Sequence, residues 1–143
     1  MSDKRHLIAP CGLDCWNCEL FEDNVTDEIV ALFVSRGVPA AAVPCRGCRD
    51  EEGCHFHLGE SGCATLDCVK EKNVELCSDC DEFPCELLAP LADQAARFPH
   101  NMKVYNLCRI RLVGLDRWIE EEAGDIRRAY FNQTFVVGRG HRS

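Results

Sequence analysis

Twelve cysteines occur in this chain of 143 residues, and their spacing is the feature that most limits what it can fold into. Five of them lie between Cys63 and Cys85, and the last three form the pattern Cys77-x2-Cys80-x4-Cys85. A two-residue gap lets both thiolates of one tight turn reach the same metal ion, whereas a disulfide across that gap is strained. We therefore expect a fold built around metal–thiolate centres.

Other cysteines precede this stretch in two clusters. A Cys-x3-Cys-x2-Cys motif begins at Cys11, and Gly12 permits the positive φ that a loop folding sulfurs towards a metal needs. A Cys-x-Gly-Cys knuckle begins at Cys45 and is followed by Cys54. The candidate metal ligands are therefore Cys11, Cys15, Cys18, Cys45, Cys48, Cys54, Cys63, Cys68, Cys77, Cys80 and Cys85.

These ligands suffice for two metal centres, or three. The first group comprises Cys11, Cys15, Cys18, Cys45 and Cys48. The second group comprises Cys63, Cys68, Cys77, Cys80 and Cys85. Each group has five thiols for the four positions of a tetrahedral site. A ligand can therefore cross between the groups, or Cys54 can form a third site with His55 or His57, because imidazole also ligates zinc.

Zinc is the metal that we expect, because four thiolates close a structural zinc site. A [4Fe–4S] cluster is the alternative, since four cysteines also hold such a cluster. The ferredoxin pattern Cys-x2-Cys-x2-Cys-x3-Cys-Pro is absent from the sequence, and this absence favours zinc.

The sequence lacks the signals of export and of membrane insertion. Its first residues contain no apolar signal-peptide core, and no run approaches about 18 apolar residues. We expect a cytoplasmic protein without membrane contact. In that compartment thiols stay reduced, so clustered cysteines are more typical of metal sites than of disulfides.

The charge distribution argues against a nucleic-acid partner. Net charge is −8, and residues 1–100 carry 19 acidic against 8 basic side chains. Proteins that bind nucleic acid usually present a basic face to the phosphates. Residues 101–143 carry 8 basic against 5 acidic side chains, and we interpret their arginines, including Arg127 and Arg128, as part of a solvated terminus.

Helix signals occur in four places. Thr26 can cap a helix over Asp27–Arg36, whose apolar face we expect in the core. A second helix, Thr65–Lys72, ends at Asn73, which tolerates the left-handed conformation. Pro84 suits the first turn of a helix, so we expect one from Cys85 to about Arg97.

The fourth helical signal lies near the C-terminus. Apolar residues recur at steps of three and four from Tyr105 to Ile119, with a bend expected near Gly114. Cys108 belongs to this stripe and has no thiol or histidine nearby, so we interpret it as a core residue. Gln133–Val137 is a candidate short strand.

The expected fold is a small metal-stabilised domain, mainly α, with irregular cysteine-rich loops and at most a short β-hairpin. Residues 1–143 are predicted to form a single domain. Residues 1–85 would form a metal-loop half, residues 86–122 a helical half, and residues 138–143 a frayed tail.

The ordered cysteine motifs resemble those of a known family. The motif that begins Cys11-Gly-Leu-Asp, the Cys45-x-Gly-Cys48 knuckle and the run ending Phe-Pro-Cys85 are similar to the bacterial and archaeal family called domain of unknown function 3795. The similarity extends to about Glu122. It implies zinc binding and assigns no activity.

Three functions remain open from the sequence. The first is a structural zinc domain that presents a surface to a protein partner, since closed four-thiolate sites leave no open coordination position. The second is an iron–sulfur electron-transfer or redox protein. The third is an enzyme with a reactive thiol beside a metal, although no acid–base constellation is visible and the sequence favours a non-enzymatic role.

Overall fold

The structure is a computed structural model that describes residues 4–54, 56, 61–132 and 137–138, and most of them lie in helices or single helical turns. The α-helices are α1 (Lys4–Leu7), α2 (Asp27–Ser35), α3 (Ala64–Lys72), α4 (Lys103–Val113), α5 (Leu115–Arg117) and α6 (Ala123–Asn132). A π-helical segment, Trp118–Glu122, joins α5 to α6. Single 3₁₀ turns lie at Cys15–Asn17, Ala40–Ala42, Cys77–Asp79, Glu86–Leu88, Ala92–Gln94 and Pro99–Met102. The expected mainly helical class is confirmed.

Extended structure within these residues is limited to two isolated bridges. Ile8 pairs antiparallel with Asp14, and Phe21 pairs parallel with Cys45. The hairpin allowed for above is therefore not present in the described residues. The candidate strand Gln133–Val137 and the tail 138–143 fall almost wholly outside them. No helix in the described part of the chain has the length and apolar character needed to cross a membrane.

Helices α2 and α3 form where their caps predicted them. The Thr26 side chain accepts a hydrogen bond from the Ile29 amide at 3.3 Å, and Asn73 ends α3 with φ 55° and ψ 45°. The predicted burial of α2 is wrong, because none of its residues is buried and Leu32 and Val34 are about half exposed. Helix α2 therefore lies at the edge of the fold.

The predicted helix from Cys85 to Arg97 is wrong. Two separate 3₁₀ turns, Glu86–Leu88 and Ala92–Gln94, occupy that stretch. Pro90 interrupts it, because the residue before a proline is pushed out of the helical region. Ala89 accordingly has φ −60° and ψ 142°. The Phe83–Pro84 peptide is cis, and Cys85 caps the short turn that follows.

Helix α4 stops at Gly114, as predicted, but it buries a different face. Gly114 has φ 93°. Leu107 and Ile110 face the core, whereas Leu112 is 71% exposed. The sequence contains two stripes at helical spacing on this helix, and the one that includes Asn106 is the buried one. Helix α6 was not predicted at all.

Two tryptophans lie at the centre of the hydrophobic core. Trp118 is fully buried and meets Trp16 edge to face, with ring centroids 6.2 Å apart. The core combines side chains from the N-terminal loops with side chains from α3, α4 and α6. Its buried apolar members include Ile8, Phe21, Leu66, Val69, Leu76, Leu88, Met102, Leu107, Ile110, Ala123 and Ile126.

Gly12 sits where the first cysteine loop crosses α4. Its φ is 90°, and a Cβ there would lie 2.9 Å from Leu107 Cγ. We predict that Gly12→Ala lowers the free energy of unfolding by about 1–3 kcal/mol from backbone strain and by a similar amount again from overpacking. Gly37→Ala is the control, because Gly37 has φ 92° and nothing within 4 Å of a Cβ. Urea unfolding of both variants measures the difference, and equal losses would contradict the close contact.

Candidate metal centres

Tight turns hold two of the cysteine pairs in a shared orientation. Cys15–Asn17 and Cys77–Asp79 are 3₁₀ turns, and the amides of Cys18 and Cys80 close them by donating to the carbonyls three residues earlier. Side chains at i and i+3 eclipse in a 3₁₀ turn. A two-residue gap between cysteines in such a turn therefore puts both sulfurs on one side.

The first cluster of thiols, here called the first centre, comprises Cys15, Cys18, Cys45, Cys48 and Cys54. The Sγ atoms of Cys15 and Cys48 are 3.8 Å apart, although 33 residues separate them in the chain. The neighbouring segments are tied by the Phe21–Cys45 bridge, in which the Glu22 amide donates to the Cys45 carbonyl at 2.8 Å. The fold thus brings the first motif of the chain against the Cys-x-Gly-Cys knuckle.

Neighbouring thiols change the pKa values within the first centre. The hydrogen bond between Cys15 and Cys48 lowers the pKa of Cys15 and raises that of Cys48. Burial, followed by the neighbouring Cys54 and Cys15 thiols, raises the pKa of Cys45 to about 11. Cys54 also raises the pKa of Cys48. A metal ion that binds here must displace thiol protons, so its affinity depends on pH.

Backbone amides point at three cysteine sulfurs. Leu20 N lies 3.4 Å from Cys18 Sγ, and Gly47 N lies 3.4 Å from Cys45 Sγ. In the Cys77–Asp79 region, the Glu82 amide is 3.3 Å from Cys80 Sγ. Each donor follows its cysteine by two residues, and a hydrogen bond to sulfur favours the thiolate over the thiol. Thiolate is the form that ligates metal.

A buried ion pair lies beside the first centre. Arg127 from α6 donates through Nε and Nη2 to the Asp14 carboxylate, with a shortest distance of 2.7 Å. Their side chains are 15% and 1% exposed, respectively. Burial raises the pKa of Cys18, and the nearby positive charge of Arg127 lowers it in part. The interpretation of Arg127 as part of a solvated terminus is wrong, and only its position on an unpredicted helix would have indicated this role.

The second cluster, here called the second centre, comprises Cys68, Cys77, Cys80 and Cys85. These four thiols line one cavity of about 190 Å³. Cys68 comes from α3, Cys77 and Cys80 from the 3₁₀ turn, and Cys85 from the cap of the next turn. Burial, followed by the neighbouring Cys85, Cys68, Cys80 and Cys63 thiols, raises the pKa of Cys77 to about 11.

A lysine contacts the second centre directly. Lys72 Nζ is 3.3 Å from Cys80 Sγ and also forms an ion pair with Glu82. Both charged side chains line the same cavity as the thiols. Lys72 is not among the predicted site residues, although its position four residues after Cys68 on a predicted helix places it on the same helix face.

Cys11 and Cys63 lie beside these centres: the Cys11 thiol raises the pKa of Cys48, and the Cys63 thiol raises that of Cys77. Cys11 packs against the core, and burial raises its pKa to about 12. The Cys15 and Cys77 thiols both raise it as well, so Cys11 lies between the two centres. Cys63 is the cap residue before α3. His55 and His57 lie outside the described residues, and among those that are described no three Cys, His, Asp or Glu side chains are arranged to hold a single metal ion.

Cys108 is exposed on α4, so its interpretation as a core residue is wrong. We predict that Cys108→Ala changes the free energy of unfolding by less than about 0.5 kcal/mol, as for surface substitutions in general. Metal content should equal that of the parent chain. Thermal melting and elemental analysis of the variant check both expectations, and a loss of metal would place Cys108 at a centre.

The chain matches one known family and no characterised protein. A family described as "Protein of unknown function (DUF3795)" matches residues 7–90, which is more than half of the chain. The match includes every candidate ligand cysteine, but it ends before α4 and does not reach Glu122. No curated protein and no solved structure matches the chain. The chain belongs to this family of unknown function, and the resemblance inferred from its cysteine motifs is thereby confirmed.

Proposed function

We propose that this chain is a zinc-binding domain, and that Cys15, Cys45, Cys48 and Cys54 of the first centre hold the ion. The observation that carries the proposal is the 3.8 Å distance between Cys15 Sγ and Cys48 Sγ. Zinc bound at about 2.3 Å from each of four sulfurs separates them by about 3.8 Å in a tetrahedron. Two sulfurs from distant parts of the chain thus already lie one tetrahedral edge apart.

The remaining two ligands follow from their neighbours. Cys45 belongs to the same knuckle as Cys48, and its sulfur accepts a hydrogen bond from the Gly47 amide. Cys54 acts electrostatically on both Cys45 and Cys48. Zinc binding would close these thiols onto the Cys15–Cys48 pair and tie the loop after α2 to the N-terminal motif.

The role that this centre favours is structural. Four thiolates leave no coordination position for a substrate or a water molecule. The ion would hold together segments that share little core, and the domain would offer its outer surface to a protein partner. The buried Arg127–Asp14 pair beside the motif supports a rigid site.

Metal analysis tests the proposal. The full chain, expressed with zinc and purified under reducing conditions, should retain zinc at the first centre, and Cys48→Ser should lose about one zinc per chain. Cys108→Ser is the matched control and should lose none. If Cys48→Ser retained the zinc of the parent chain, the proposal would be wrong.

A second comparison tests the fourth ligand. Cys54→Ser should lose the same zinc ion, and Cys18→Ser should keep it. The opposite result would make Cys18 the ligand while leaving zinc binding itself intact. Cobalt(II) added to the metal-free chain gives an independent measure, because four thiolates produce an intense thiolate-to-cobalt absorption that three do not match.

A further inference from the structure

The thiols of the second centre are arranged around a cavity. The cavity has a volume of about 190 Å³, and all four thiols line it. A single zinc ion lies about 2.3 Å from each of four sulfurs and draws them into mutual contact, whereas these four thiols line an open space. The cavity fits a larger group that also takes four thiolates.

An iron–sulfur cubane is larger than a single ion and meets that ligand requirement. A [4Fe–4S] cluster takes one cysteine thiolate at each of its four irons. The cavity walls between the cysteines are largely apolar and include Val69, Phe83 and Leu88. Cys77 is buried and Cys85 is exposed, so a cluster held here would have one solvent-facing side, and solvent exposure is one of the factors that set cluster potentials.

Two hydrogen-bond donors at Cys80 are a second, independent observation that favours a cluster at this centre. Lys72 Nζ and the Glu82 amide both lie 3.3 Å from Cys80 Sγ. Hydrogen bonds and positive charge near a cluster sulfur stabilise the reduced, more negative state and raise the reduction potential. Cys80 therefore has the environment of a cluster ligand whose charge is partly offset by the protein.

We propose that the second centre binds a [4Fe–4S] cluster through Cys68, Cys77, Cys80 and Cys85, with Lys72 as a positioning residue on the Cys80 sulfur. Two ferrous ions, two ferric ions and four sulfide ions form a cluster with a charge of +2. The four thiols release four protons to solvent as they bind it. This inference goes beyond the zinc centre and does not depend on it.

Anaerobic reconstitution tests the cluster. The full chain is incubated with ferrous and ferric iron, sulfide and a thiol reductant, and iron, acid-labile sulfide and zinc are measured in the same sample. We expect about four irons and four sulfides per chain, with a broad visible absorption that bleaches on reduction. Cys80→Ser should lose this absorption. Cys108→Ser is the matched control, because Cys108 is exposed on α4 and does not line the cavity.

The zinc measurement separates the two proposals. A far-ultraviolet circular dichroism spectrum of Cys80→Ser that matches the parent shows that the variant folds and that its loss of iron is local. A parent chain that binds zinc but no iron or sulfide would overturn the cluster and leave the zinc centre standing. Iron without sulfide, or equal iron and sulfide in Cys80→Ser and the parent, would also overturn it.

Lys72 has a test of its own. Lys72→Met should keep the iron and sulfide content but move the midpoint potential of the cluster to a more negative value. Lys72→Arg retains the charge and should restore part of the shift. Parent and Lys72→Met clusters with the same potential would contradict the contact between Lys72 and the cluster ligand.

Discussion

Removing the proposed zinc ion from the first centre should unfold the segment between Phe21 and Cys63. Among the described residues from 22 to 64, Val43 is the one apolar side chain that is buried. Ordering such a segment costs roughly 1–2 kcal/mol per residue in backbone entropy alone, which one buried valine does not offset. A structural zinc site contributes about 10–16 kcal/mol of apparent binding free energy, comparable to the whole stability of a domain.

Hydrogen exchange and thermal melting measure this effect. After chelation the amides of residues 22–54 should exchange rapidly, whereas α4 and α6 should keep partial protection. The melting transition should broaden and move to lower temperature. Cys48→Ser should resemble the chelated parent in this segment, and Cys108→Ala should resemble the untreated parent. An unchanged cooperative transition after complete metal removal would show that the apolar core alone holds the segment.

Arg127→Met should strongly lower the free energy of unfolding. It leaves the Asp14 carboxylate, which is 1% exposed, without its positive partner. Breaking one side of a buried ion pair costs about 3–5 kcal/mol, because the remaining charge stays buried and unpaired. The Asn17 side chain donates to Asp14 at 2.8 Å, but one neutral amide does not replace two charged donors.

The adjacent arginine provides the control. Arg128 pairs with Asp125, and both side chains are more than 70% exposed. An exposed pair contributes about 0–1 kcal/mol, so Arg128→Met should change stability little. Combining Arg127→Met with Asp14→Leu should recover part of the loss, since no charge is then left unpaired. Chemical unfolding of the four proteins measures these differences, and similar losses for both arginine variants would show that the buried pair adds no net stability.

Local signals predicted local structure well in this chain. The Thr26 cap, the left-handed Asn73, the positive φ of Gly12 and the interruption at Gly114 all occur as expected. Each depends on one residue and its immediate neighbours, so the sequence contains the information directly. The prediction of a helix from Cys85 to Arg97 is wrong for an equally local reason, because Pro90 interrupts an otherwise helical pattern.

Long-range arrangement was much less predictable. The contact between Cys15 and Cys48 joins residues 33 positions apart and follows from the packing of loops, which spacing alone does not determine. The Asp14–Arg127 pair spans 113 positions and ends on α6. Cys108 illustrates the same difficulty on a helix, where two stripes had helical spacing and only packing decided which one is buried. Ligand types were therefore predictable, while their partners and supporting charges were not.

The edge-to-face tryptophan pair gives this chain an optical probe of its own. The sequence contains only two tryptophans, and both belong to that pair. Trp16 lies inside the turn that carries Cys15, and Trp118 lies in the π-helical segment leading to α6. Indole emission shifts to longer wavelength when the ring gains contact with water. The fluorescence of the unmodified chain therefore reports, without any label, whether the first thiol motif and the C-terminal helices are still joined.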